Sequence, residues 1–265
     1  MAVNSLSQNI NQAISDFNGI KQAIIDKGVQ IPSGTKTSEY GAKISEIQTG
    51  GGTPEKGFLP TEWDADGYPT KGTLYGTTVV PNYYFYNTSS GGQYARLENI
   101  NFKNAITSIG NNAFYYCKNL ALTSLPEGLT SISNDAFKYC SKLALTSLPD
   151  GVTSIGSFAF QSCSKLALTS FPEGLISIDR GAFNYCSGLT SINIGNATRT
   201  IGDFAFKSCS GLTSVSIGSA IKSISSDAFG NCPKLTSITI NRAEGTVANA
   251  PWGATNAQIN WVGDN

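Results

Sequence analysis

Six cysteines stand at positions 117, 140, 163, 186, 209 and 232, and they recur with a strict 23-residue period. A fixed period of this length constrains the fold more than any composition does, because it marks a stack of similar supersecondary units. The neighbouring columns keep the same register. Phe114, Phe137, Phe160, Phe183, Phe206 and Phe229 each precede a cysteine by three residues, and an alanine precedes each phenylalanine. Ile109, Ile132, Ile155, Ile178, Ile201 and Ile224 lie eight residues before it, and Leu120, Leu143, Leu166, Leu189, Leu212 and Leu235 three after it. A single unit of this size cannot bury its apolar face, so each must cover the next.

Two textures alternate within the unit. Ala-Phe-x-x-Cys sets apolar residues at i, i+1 and i+4, which predicts one helical or 3₁₀ turn. Leu189-Thr-Ser-Ile192-Asn-Ile194 and Leu212-Thr-Ser-Val215-Ser-Ile217 read as short half-buried strands. The expected fold is therefore an α/β solenoid of 23-residue coils, each a short strand plus a helical turn. About seven coils stacked at ~4.8 Å make a rod about 35 Å long. Three coils differ, because Leu122, Leu145 and Leu168 come one place earlier than the middle apolar residue of the others. Period-2 parity favours a kink moved to follow these leucines; the alternative is an exposed leucine ladder.

Both ends of the array degrade. Val80-Pro-Asn-Tyr-Tyr84-Phe85 imitates the start of a turn, and Trp252 falls where the phenylalanine column continues. The first fifty residues are of another kind. Leu6, Ile10, Ala13, Phe17, Ile20 and Ile24 form a seam of 4-3-4-3-4 spacing, the pattern of a coiled coil, and Ile14 and Ile25 widen it towards three strands. The expected organisation is a helical oligomerising and anchoring module over 1–48, a glycine-rich linker over 49–57 and a cap over 58–93. Six regular repeats then cover 94–240, and a C-terminal cap covers 241–265.

The unit beginning at Leu212 and ending at Cys232 resembles the BspA-like leucine-rich repeat, L-T-S-I-x-I-x-x-x-V-x-S-I-G-x-x-A-F-x-x-C, and the resemblance runs from about Thr73 to the C-terminus. It implies binding rather than chemistry. Ile24-Ile-Asp-Lys-Gly-Val-Gln-Ile-Pro-Ser-Gly-Thr, with Phe58-Leu-Pro-Thr-Glu-Trp further on, resembles N-terminal modules of bacteriophage tail and tail-fibre proteins. That second resemblance extends to about Thr70 and is less specific.

Composition excludes more than it assigns. The 265 residues contain no histidine, which removes the commonest general base and metal ligand. Eighteen basic residues balance eighteen acidic ones, so no charge excess points to nucleic acid. No apolar run reaches membrane-spanning length, and residues 1–5 lack the pattern of a secretory signal. No nucleophile–base pair, metal set or phosphate loop is found, so the expectation is no enzyme, no cofactor and no metal. The cysteines are expected as reduced core thiols. Stacked disulfides are the alternative, and zinc fails for want of C-x-x-C spacing. Trp63-Asp64-Ala-Asp66-Gly67 partly matches a calcium loop but lacks its distal glutamate, and reads as a turn.

Candidate contact residues are Tyr116, Tyr139 and Tyr185, an outward column next to the cysteines, with Tyr115 and Lys138 beside it; such rings suit sugars or protein partners. Their mutual packing is the competing explanation. Two further columns, Glu127/Asp150/Glu173 and Asn101/Ser124/Ser147/Ser170/Asn193/Ser216/Thr239, read as solvated faces. The functional expectation is a non-enzymatic phage tail or tail-fibre protein in the virion, binding a host receptor (glycan or protein) and other tail proteins. It would be a homo-oligomer, with a trimer favoured. The alternative is a BspA-like adhesin at the bacterial surface, or a general interaction solenoid.

Overall fold

A computed structural model describes residues 57–65, 68–88 and 94–263. The coiled-coil seam from Leu6 to Ile24 and the whole 1–48 module lie outside the described residues.

The chain winds as a β-solenoid of about seven turns. Strands β1 (Gly57–Trp63) and β2 (Pro69–Tyr75) form an antiparallel pair at one end, and β2 continues in parallel to β4 (Asn99–Phe102). A second, seven-stranded sheet is made of two-residue strands. These are β3 (Val79–Val80), β5 (Ser108–Ile109), β6 (Ser131–Ile132), β7 (Ser154–Ile155), β8 (Ser177–Ile178), β10 (Thr200–Ile201) and β12 (Ser223–Ile224). A third sheet stacks β9 (Ser191–Ile194), β11 (Ser214–Ile217), β13 (Ser237–Ile240) and β14 (Gln258–Trp261) in parallel. Ser131 pairs with Ser154, and Ser154 with Ser177, so each layer lies one full sequence period from the next.

The Ala-Phe-x-x-Cys segment is buried as the spacing requires, but it is not helical. No helix occurs among the described residues. Alternate amides choose different acceptors. Ala113, Tyr115 and Cys117 donate to the carbonyls three residues back, whereas Asn112, Phe114 and Tyr116 donate to Asn134, Ala136 and Lys138 of the next coil. Two residues per turn adopt left-handed backbone: Asn112 and Tyr116, Asp135 and Tyr139, Phe158 and Ser162, Gly181 and Tyr185, Phe204 and Ser208. A helix would keep its hydrogen bonds to itself and leave the neighbouring coil's carbonyls unmet. The alternating turn ties the layers together instead.

The interior is a set of columns. Phe85, Phe114, Phe137, Phe160, Phe183, Phe206 and Phe229 are fully buried. They stack face to face with centroids 5.0–5.4 Å apart and ring planes within 9°. Burying each ring contributes ~1.5–3 kcal/mol. Trp252 occupies the next layer, wholly buried, but packs edge-on against Trp261 at 6.1 Å and donates its indole N–H to the Ala248 carbonyl. Leu122, Leu145 and Leu168 are buried, as are Leu125, Leu148 and Phe171. The relocated kink is therefore the correct reading of these three coils. It interrupts the sheet between β4 and β9, where Ser170 and Asn193 form the sole isolated bridge among the described residues.

Candidate functional site

The turn fixes which side chains leave the core. Alanine, phenylalanine and cysteine point inward, so the residues before and between them face out along one edge of the rod. Tyr115, Tyr116, Tyr139 and Lys138 come together there. Ring centroids are 6.1 Å apart for Tyr115–Tyr116, 5.6 Å for Tyr115–Tyr139 and 5.3 Å for Tyr116–Tyr139. The Lys138 ammonium lies 5.8 Å from the Tyr115 ring and 5.7 Å from that of Tyr139, and pairs with Asp135 at 2.8 Å. Burial against this cluster raises the Tyr115 phenol above its ordinary pKa. Tyr185 stands two coils further along, 55% exposed.

The edge extends beyond the residues legible in the sequence. Tyr86 stacks on Tyr115 at 5.1 Å and Tyr83 on Tyr86 edge-on at 5.4 Å, both exposed. Lys118 sits over the Tyr116 ring at 4.3 Å. In the other direction Lys138 faces Phe158 at 4.9 Å, and Arg180 lies between Phe158 at 5.9 Å and Phe204 at 5.3 Å. Lys207 covers Phe204 at 4.6 Å and pairs with Asp227 at 2.5 Å, whose carboxylate raises its pKa. Aromatic faces and cations thus alternate along the rod, each such contact contributing ~0.5–1 kcal/mol at an exposed site.

The backbone beneath these rings is costly. Tyr83, Tyr116, Tyr139, Phe158, Tyr185 and Phe204 all have φ between 57° and 66°. Left-handed backbone disfavours bulky residues by ~1–2 kcal/mol, while Asn, Asp and Gly tolerate it. Asn112, Asp135 and Gly181 stand in the column of Tyr83, Phe158 and Phe204, and Ser162, Ser208 and Asn231 in that of Tyr116, Tyr139 and Tyr185. Gly181 has a second reason to be glycine, since an added Cβ would lie 2.3 Å from the Phe158 ring, which rests on its backbone.

The cysteines are structural. All six are free and buried. Each thiol donates to the carbonyl of the phenylalanine one coil back: Cys117 to Phe85 at 3.2 Å, Cys140 to Phe114, Cys163 to Phe137 and Cys232 to Phe206 at 3.1 Å, Cys186 to Phe160 at 3.0 Å, and Cys209 to Phe183 at 3.2 Å. From Phe114 to Phe206 that carbonyl also accepts the amide of its own coil's cysteine, so both lone pairs are used. Burial pushes every thiol above its ordinary pKa, Cys232 at the last turn to about 11. Thiols held in this form are poor nucleophiles and poor ligands.

Asp64 accepts from Arg96 at 2.6 Å and from the Tyr68 amide at 3.0 Å, and Asp66 and Gly67 lie outside the described residues. Glu127, Asp150 and Glu173 are solvent-exposed. A cavity of about 540 Å³ at the last turn is lined by Asp227, Cys232 and Thr255. No group of three potential metal ligands occurs among the described residues. Nor is any helix there long and apolar enough to cross a membrane.

The family described as "BspA type leucine rich repeat region" matches in six copies, over residues 78–198 and 132–250. Among solved structures, the leucine-rich repeat protein of T. pallidum (TpLRR) is similar with a TM-score of 0.53 at 23% identity, over 69% of this chain and 90% of that one. A leucine-rich repeat protein from Bacteroides ovatus aligns at 22% identity with a TM-score of 0.45, over 72% of this chain and 61% of the other. No curated protein matches the chain.

Proposed function

From the premise that this chain belongs to the family of BspA-type leucine-rich repeat proteins, we propose that it is a non-enzymatic binding solenoid, a surface adhesin or interaction module, whose turn edge makes the contact. One observation carries the reading. Six aromatic residues occupy left-handed backbone on an outward edge, and Tyr83 and Tyr185 are 58% and 55% exposed. Burial does not offset the strain at those two positions. Strain retained at an exposed surface points to what the surface touches. Rigid rings with cations on their faces supply large contact area at low entropic cost.

The test exploits the strain. Replacing Tyr116, Tyr139 and Tyr185 together by asparagine puts a residue at ease with left-handed backbone at each position. Stability should hold or rise, while adhesion of the purified full chain to host cells should fall. Adhesion equal to that of the unmodified protein overturns the assignment of this edge.

The narrower reading, a virion tail or tail-fibre protein carried on residues 1–48 as a trimer, rests on the sequence up to about Thr70, and no comparison supports it. Light scattering on the full chain tests its oligomeric part; a monomer removes it.

A further inference from the structure

We propose that the N-terminal half of the turn edge holds an anionic polysaccharide lying along the solenoid axis, one sugar ring to a coil. This rests on the reading of that edge as the contact surface and adds the chemistry of the partner.

Periodicity supplies the first argument. Tyr86, Tyr115 and Tyr139 follow one another from coil to coil with centroids 5.1 and 5.6 Å apart, and Tyr116 lies 5.3 Å from Tyr139. That step is close to the advance of one pyranose ring along an extended polysaccharide. A surface that repeats at one pitch is best matched by a polymer of the same pitch, whose C–H groups lie along the outward edges of the mutually packed rings while its hydroxyls meet the phenols.

Charge supplies the second. Lys118, Lys142 and Lys165 are exposed on three successive coils, and the Lys142 amide bonds to the Lys118 carbonyl across the first step. None of the three is in an ion pair among the described residues, whereas the neighbouring Lys138 is neutralised by Asp135. Three uncompensated ammonium groups in a row repel one another and draw a polyanion. Further along, Asp179, Asp203 and Asp227 accompany Arg180 and Lys207, so the positive row ends there. An acidic group on the polymer, carboxylate or sulfate, would meet a lysine from coil to coil.

The experiment uses the full chain with three probes: hyaluronan, which carries carboxylates alone, heparin, which adds sulfates, and neutral dextran. Titration calorimetry should show binding to one or both charged polymers, none to dextran, and weakening as salt rises. Binding to hyaluronan selects carboxylate, and binding to heparin alone selects sulfate. Changing Lys118, Lys142 and Lys165 together to glutamine should weaken binding about tenfold. These side chains are exposed, so circular dichroism should be unchanged, and Tyr139→Asn should weaken binding as well. Absence of binding to both charged polymers, equal binding of dextran, or an unaffected triple variant overturns the proposal. If the asparagine variants lose adhesion to cells while neither polymer binds, the edge stands and a protein partner replaces the polysaccharide. If adhesion also survives those variants, both readings fall.

Discussion

Gly181→Ala tests the turn edge and the backbone beneath it in one perturbation. Gly181 has a φ of 60°, so alanine there costs about 1–2 kcal/mol before any contact is made. The new methyl would also stand 2.3 Å from two Phe158 ring atoms, closer than carbons approach. Phe158 is half-buried at an open edge, so its ring can swing outward instead of deforming the core. Doing so gives up its faces to Lys138 and Arg180, about 0.5–1 kcal/mol each. The single variant should therefore lose about 2–4 kcal/mol. In a Phe158→Asn background the ring is gone and the left-handed cost alone remains, so the same substitution should lose only about 1–2 kcal/mol. Urea unfolding followed by far-ultraviolet circular dichroism gives all four corners of the cycle. A coupling of about 1–2 kcal/mol is expected, since residues in contact depart from additivity by such amounts. Additivity within about 0.5 kcal/mol would mean that the ring does not rest on the glycine, and the argument for this edge would lose its geometric basis.

Cys186→Ala should cost about 1–2 kcal/mol, combining a small cavity with one lost thiol donor to Phe160; a loss under about 0.3 kcal/mol would leave the thiol without energetic weight. Trp252→Ala should cost about 3–5 kcal/mol by urea unfolding, since the ring is wholly buried in the last layer, and a change below about 1 kcal/mol would mean that this layer does not close the stack. The thiols also set an alkaline limit. Folding holds their protons above the ordinary value of 9.0, so their contribution is complete below that pH and declines as pH rises towards about 11 for Cys232 and beyond for the rest. Urea midpoints in reductant should fall from pH 8 to pH 10.5, each thiol adding up to ~1.4 kcal/mol per pH unit, and a Cys163→Ala variant should show a shallower fall. A slope unchanged by that substitution refutes the assignment. Titration with a thiol reagent should find six reactive groups after denaturation without reductant and none rapidly in the native protein.

Column membership was legible because a stack converts sequence period into spatial alignment. Knowing that Phe137 lies one period after Phe114 is enough to place one ring on the other, and the parity of Leu122 favoured the moved kink over an exposed ladder, which burial of the three leucines then decided. Tyr115, Tyr116, Lys138 and Tyr139 were placed on one outward edge by the same reasoning, since whatever flanks an inward stripe faces out. Phe158, Phe204 and Arg180 were missed. Phe158 and Phe204 share a column with Asn112, Asp135 and Gly181, and no residue type recurs in successive coils of that column to mark it.

The course of the backbone between columns was decided by the tertiary structure. Ala-Phe-x-x-Cys has the apolar spacing of a helical turn, and nothing local opposes one. The neighbouring coil does: its carbonyls at Asn134, Ala136 and Lys138 accept the amides of Asn112, Phe114 and Tyr116, and meeting them requires the left-handed residues that end a helix. The thiol's acceptor is non-local for the same reason, since Cys140 bonds to Phe114 of the layer before it. Sequence alone determined that the chain stacks, at what period and with which side chains inside, because burial follows pattern. The turn's handedness, the thiol ladder and the strained aromatic edge depend on hydrogen bonds that exist only once two coils are in contact.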